Sequence, residues 1–352
     1  MLLKSLAHAL LVMTLFITGA AMAATSLGGK LELDDEGSFF VNGRNLKIGN
    51  PGSSVVTGVS PPGNIKVNQM YVHYRIPAAA KNVPANLPVI MVHGSGHTGM
   101  TYETTPDGRE GWATYFVRKS HPVYVVDQAG RGRSSFNPSA INAVGEKAAD
   151  ASTLPTLYTA VIERAWPNFR FGKEYPTPYP NLQFPLEAMD QYLAQLVPNT
   201  ETTLDGAGKN SVDGLVALLD KIGPAVVLVH SQSGVIGLDA ARQRPNLVKA
   251  LVSVEGGCET VTPKDIATPF VKVPFVSVWG DNSKGAWGAN GDKRRDGCMQ
   301  AVEMISKGGG RANFTLLPAM GIAGNSHMMM MDKNNLRVAD VILKWIAENA
   351  SR

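Results

Sequence analysis

A serine stands among small residues in Val229-His230-Ser231-Gln232-Ser233-Gly234, where a run of β-formers gives way to a helical pattern. A hydroxyl is a weak nucleophile until an adjacent base takes its proton. A tight strand-to-helix turn pushes such a serine out over the sheet and aims the next backbone N–H at an attacked carbonyl. The register departs from the common G-x-S-x-G, because Val229 precedes Ser231 and Ser233 follows it at the glycine positions. Ser231 falls at the tip of the turn, and Ser233, one step into the helix, is the alternative. The chemistry expected here is attack on an acyl carbon.

That chemistry needs an imidazole within hydrogen-bond reach of the hydroxyl. Past residue 23, His73 lies mid-strand, His121 precedes a strand, and His93 and His97 share a glycine-rich loop. His230 adjoins the serine with its side chain expected to face elsewhere. His327, in Gly324-Asn325-Ser326-His327-Met328, follows the last strand and can reach over the sheet edge, so it is the expected base. An acid must hold the imidazole tautomer and stabilise its cation. Glu255, in Val254-Glu255-Gly256-Gly257, is preferred over Asp281, in Trp279-Gly280-Asp281-Asn282-Ser283. The order serine, acid, histidine along the chain suits a sheet with its site at the strand ends. The backbone N–H groups of Ser95 and Gln232 are the expected oxyanion donors. His97 is expected to face solvent.

The elements that must position these groups follow from short apolar runs bounded by Gly, Pro or polar turns. Residues 38–42 and 65–76 read as antiparallel opening strands. Six further strands are expected at 87–92, 122–127, 225–230, 249–255, 273–280 and 313–317. Helical patterns cover 111–119, 211–222, 234–243 and 335–349. Near-continuous hydrophobic strands alternating with amphipathic helices imply an α/β fold, a mostly parallel central sheet with helices on both faces. One connection is too long for that scheme. The stretch of about 135–210, after the fourth strand, holds nine of the chain's 25 aromatics. An insertion of this size carries its own structure and often works as a lid; here it is expected to wall an apolar pocket.

Composition narrows the class. The chain has 352 residues, 44% hydrophobic and 18% charged, with net charge +4, which excludes a disordered chain and lacks the clustered basic surface that nucleic-acid phosphates require. Lys293-Arg294-Arg295, flanked by Asp292 and Asp296, reads as a solvated loop. Lys4, the apolar stretch 10–21 and Ala21-Met22-Ala23 form a secretory signal pattern, giving a leader at 1–23 and a mature domain at 24–352. The expected setting is secreted or periplasmic, with no stable membrane insertion after cleavage. In that setting the pair Cys258 and Cys298 is expected to form a disulfide rather than hold zinc. The Gly130-x-Gly132 turn lacks a dinucleotide fingerprint. No nicotinamide, flavin or metal is implied.

With His93-Gly94, the run Asp127-Gln128-Ala129-Gly130-Arg131-Gly132-Arg133-Ser134, the Ser231 turn and His327, the chain resembles the α/β-hydrolase superfamily over nearly all its mature length. More narrowly, it is similar to secreted bacterial esterases of the Alcaligenes type. The shared marks are Gly37-Ser38-Phe39-Phe40-Val41, Thr98-Gly99-Met100-Thr101, the His-Ser-Gln-Ser-Gly turn and an acid after the sixth strand. The resemblance implies hydrolysis of a small carboxylic ester, with Ser231, Glu255 and His327 as the triad. Some relatives carry adjacent cysteines where Ser95-Gly96 stand, so properties of that pair do not transfer. A lactonase or acyltransferase on the same residues, or a non-catalytic binding protein of the same fold, are the competing expectations.

Overall fold

The computed structural model describes residues 28–49, 51–54, 58–79, 86–198, 207–284 and 291–350. Leu31–Arg352 make one compact unit. The expected leader at 1–23 lies outside the described residues.

Eight strands form the main sheet: β1 (Leu33–Ile48), β2 (Gly63–Pro77), β3 (Val89–Val92), β4 (Val123–Asp127), β5 (Ala225–His230), β6 (Val248–Val254), β7 (Phe275–Trp279) and β8 (Ala312–Leu316). Their spatial order is β1-β2-β4-β3-β5-β6-β7-β8. β2 runs antiparallel to β1 and β4, and every other neighbouring pair is parallel. The expected α/β class and the insertion after the fourth strand are both present. β1 is much longer than the apolar run 38–42 announces. Exposed charges, Asp34, Asp35 and Glu36 near one end and Arg44 and Lys47 near the other, lie outside that run, and pairing with β2 from Leu33↔Pro77 to Ile48↔Gly63 holds them extended.

Side chains alternate across the sheet, as a pleated strand requires. Val89, Met91, Val226, Leu228, Val252, Val254, Val276 and Val278 share one core layer with Trp112 and Phe116 of α2 (Trp112–Arg118). Val338 and Ile342 of the C-terminal helix join that layer. Ile90, Val92, Val227, Val229 and Leu251 face the other layer, with Leu215 and Leu219 of the helix Ala207–Ile222. Strands buried on both faces therefore read as continuous apolar runs.

After the short helix α1 (Met100–Glu103) and α2, the insertion contributes α3 (Ser139–Gly145), α4 (Ile162–Asn168) and α5 (Met189–Ala194). Then come α6 (Ala207–Ile222), α7 (Ser233–Gln243), α8 (Asp292–Lys307) and α9 (Asn335–Asn349). Two expectations are corrected. Lys293-Arg294-Arg295 is not a solvated loop but the first turn of α8, whose thin apolar stripe, Cys298, Ala301 and Ile305, is interrupted by charges and so escapes a periodicity reading. The insertion's aromatics are mostly core rather than pocket wall. Trp166, Phe171, Phe184 and Tyr192 are buried and packed edge to face or tilted, with Phe171 and Phe184 centroids 4.2 Å apart. No helix among the described residues is long and apolar enough to cross a membrane.

Candidate active site

β5 ends at His230, and Ser231 sits between it and α7 with φ 57°. A side chain in the left-handed region costs about 1–3 kcal/mol, and surrounding contacts must over-determine it. Here they do. The Ser231 N–H donates to the Val254 carbonyl at 3.1 Å, and the Ser231 carbonyl accepts from Gly234 at 3.0 Å and Gly257 at 3.2 Å. Gly234 has no room for a side chain, since a Cβ there would lie 2.3 Å from the Gly257 nitrogen. Small residues around the serine are thus a steric demand of β5, α7 and the β6 loop meeting. Ser233, the alternative nucleophile, is spent on structure: its hydroxyl is 2.9 Å from the carbonyls of Val92 and His230 and from the His230 N–H.

Glu255 follows β6 with φ 47° and is fully buried. Its Oε2 lies 2.5 Å from Nδ1 of His327, also fully buried. Its Oε1 accepts from the Gly280 N–H at 2.8 Å and from the Arg170 guanidinium. Burial alone would push this carboxyl up; the Arg170 charge and the His327 hydrogen bond overcome it and hold the group at about 2. An ionised carboxylate only accepts, so the His327 proton sits on Nδ1 and Nε2 keeps its lone pair. Burial lowers the imidazole to about 4, against the opposing pull of Glu255, so it is neutral near pH 7. Nε2 is buried and has no hydrogen-bond partner among the described residues. The Ser231 hydroxyl is turned instead to Arg294, whose Nη1 donates to Oγ at 3.3 Å. The structure thus brings Glu255 and His327 into contact and leaves the serine–histidine hydrogen bond unmade, a common state before substrate arrives.

Asp281, the rival acid, is engaged with the histidine loop backbone rather than the imidazole. Its Oδ2 accepts from the Asn325 N–H at 3.0 Å, and its carbonyl accepts from Arg170 Nε at 2.7 Å. Asp332 anchors the same loop, accepting from the Ser326 N–H at 2.8 Å and the Ser326 hydroxyl at 2.7 Å. Arg170 and its neighbour Phe169 come from the insertion. The Phe169 ring stacks on His327 at 5.8 Å and 9°, and its carbonyl accepts the His327 N–H at 2.9 Å. Sequence reasoning missed Arg170, and no local pattern marks it.

The loop after β3 packs directly against the serine. A Cβ on Gly94 would lie 2.8 Å from His230 Nδ1 and 3.0 Å from the Ser231 Cβ, so only glycine lets the loop approach. Ser95 follows that contact, and Gln232 occupies the position just before α7. Gln128 links the two: its Nε2 donates to the His93 carbonyl at 2.5 Å and to Gln232 Oε1 at 3.1 Å. Two histidine expectations are corrected. His97 does not face solvent; it is buried between Phe169 and Tyr192, with Nε2 3.2 Å from the Tyr192 hydroxyl. His230 does not face away, since its ring lies 4.6 Å from that of His327 and its Nε2 donates to the His327 carbonyl at 3.0 Å. Burial keeps His230 well below the ordinary imidazole range.

Cys258 and Cys298 form a disulfide, tying the loop after Glu255 to α8. Closing a loop of this length contributes about 2–4 kcal/mol. Four residues before Cys298, on the same helix face, stands Arg294.

A sheet in this order, a serine turn after its fifth strand, and an acid and histidine arriving later in the chain define the α/β-hydrolase superfamily. No family model matches the chain. A bacterial esterase solved at atomic resolution is 41% identical and superposes with a TM-score of 0.85, covering 92% of this chain and 98% of its own. A probable secreted lipase from a fungal species (strain ATCC 74256) is 29% identical over 338 residues, 84% of this chain and 90% of that protein. The chain belongs to the α/β-hydrolases, in the family of that bacterial esterase.

Proposed function

We propose that the protein is a serine hydrolase of carboxylic esters, using Ser231, His327 and Glu255 as its triad. The observation that carries the reading is the buried Glu255–His327 contact at 2.5 Å, with Nε2 left as a lone-pair acceptor beside the strained Ser231 turn. In this scheme Oγ rotates from Arg294 to Nε2 and gives up its proton there while bonding to the acyl carbon. The N–H groups of Ser95 and Gln232 hold the resulting oxyanion. The Nε2 proton then passes to the departing alkoxide as the carbon–oxygen bond breaks. Water repeats the sequence on the acyl-enzyme and frees the acid and Ser231. Glu255 fixes the tautomer and stabilises the transient imidazolium, and Arg170 is a positioning residue that holds Glu255 ionised.

The likeness to the bacterial esterase supports ester hydrolysis, and the motifs quoted above support an Alcaligenes-type lineage. The leader pattern at 1–23, the disulfide and the secreted fungal relative support export. The test is labelling with a serine-directed phosphonate, followed by peptide mapping and an ester panel. Modification at Ser231 with loss of ester turnover is expected. Label on Ser233, or turnover that survives a fully labelled Ser231, sinks the assignment.

A further inference from the structure

We propose that His97 is a positioning residue that sets the aim of the Ser95 N–H and makes the inserted cap part of the oxyanion hole; the inference rests on that N–H being an oxyanion donor. His97 Nδ1 lies 2.7 Å from the Ser95 carbonyl, and Nε2 lies 3.2 Å from the Tyr192 hydroxyl. A carbonyl only accepts, so the imidazole proton sits on Nδ1 and Nε2 accepts from the Tyr192 O–H. Burial lowers His97 to about 4, which keeps it in this neutral form near pH 7. The peptide before Ser95 is held from the sheet. The Gln128 N–H donates to His93 Nε2 at 3.0 Å, so His93 carries its proton on Nδ1 and donates to the Gly94 carbonyl at 2.9 Å. Arg131 Nη1 donates to the same carbonyl at 2.7 Å. Across a trans peptide the carbonyl and the next N–H point in opposite directions, so these contacts turn the Ser95 N–H away from His93 and Arg131. The peptide after Ser95 is held from the cap, through His97 and Tyr192 of α5. The Val197 N–H, just beyond α5, takes the following carbonyl, that of Gly96, at 2.9 Å. Fixing both peptides fixes both backbone dihedrals of Ser95. The Phe169 ring joins the two halves of the site, lying 5.9 Å from the His97 ring and 5.8 Å from that of His327. Without the imidazole the Ser95 carbonyl must find another partner, and the neighbouring N–H turns with it.

Trifluoroacetophenone reads the oxyanion hole directly. Ser231 Oγ bonds to the ketone carbon, its proton passes to His327 Nε2, and the carbonyl oxygen becomes the bound oxyanion. The corresponding carbinol has nearly the same shape and forms no oxyanion. We would measure inhibition constants for both, together with kcat and KM for a simple ester. The wild-type protein is expected to favour the ketone by about hundredfold or more. In His97→Leu that ratio and kcat should each fall by about ten- to hundredfold, with KM little changed. Tyr192→Phe, which removes one oxygen, should lower both by about three- to tenfold. His97→Asn, whose amide nitrogen stands where Nδ1 did, should stay nearer to wild type. A ratio undiminished in Tyr192→Phe, or a loss that the carbinol shares or that KM carries, overturns the proposal; Tyr192→Phe decides even where His97→Leu does not fold. The reading beneath it fails separately: no ketone preference in the wild-type protein, or one that survives Ser231→Ala, removes the serine and its oxyanion.

Discussion

The β5–α7 turn and the inserted cap both end at His327, but they hold it by different means. The turn works through backbone. Ser231 and Glu255 each occupy the left-handed region, and β6-loop hydrogen bonds on the Ser231 backbone lock them where Gly234 leaves room for contact. The cap works through side chains and charge, with the Phe169 ring against the imidazole and the Arg170 guanidinium on the acid. In the proposed mechanism the first region places the reacting atoms, and the second sets their protonation. Damage to the turn should therefore abolish turnover, while damage to the cap contact should shift its pH dependence.

The largest expected effect is at the turn: Ser231→Ala should lower kcat by about 10³-fold or more with little change in thermal midpoint. Residual turnover within tenfold of wild type would remove the turn's special status. Next, Glu255→Gln should cost about 10²- to 10⁴-fold by favouring the wrong tautomer, whereas Asp281→Asn, at a carboxylate that accepts from the loop backbone rather than the imidazole, should cost less than about tenfold. The reverse ranking would move the acid to β7.

At the cap, the effect should be smaller and of another kind. In the wild-type protein kcat/KM should persist well below the usual imidazole range and fall only as pH drops toward about 4, where His327 takes a proton. Arg170 opposes that protonation, so Arg170→Met should move the acid limb to higher pH, with Arg170→Lys nearer wild type. A uniform rate loss with an unmoved limb would make Arg170 merely structural. The smallest effect concerns Asp332, which burial raises to about 7. The folded state then holds a proton that the unfolded state has lost, so stability contributed by this group is present at low pH and fades as pH rises through the folded value. Urea unfolding across that range should show the decline, and Asp332→Asn should flatten it.

The same division explains what could be read along the chain. The strands, the turn at Ser231 and the two glycines after Glu255 announce themselves because each follows from local sterics or from a bounded run of apolar β-formers. β1 was legible only where it is apolar, since its charged ends are kept extended by their partner strand. α8 was hidden because Lys293-Arg294-Arg295 outweighs a stripe of only three buried residues. His97 and His230 misled for a related reason: residue type places a histidine at a surface as readily as in a core, and only neighbours from distant segments, Tyr192 and His327, decide.

The sequence by itself determined the α/β class, the strand order's raw material and the identity of a serine, a histidine and two competing acids at strand ends. Tertiary structure decided which acid meets the imidazole, because Glu255 and Asp281 both end strands and differ only in where the chain carries them next. It also decided that guanidinium groups 124 positions apart, Arg170 and Arg294, stand at the carboxylate and the hydroxyl of one site. Contacts of that separation leave no local pattern; they exist only once the sheet, the cap and the bridged helix have closed around His327.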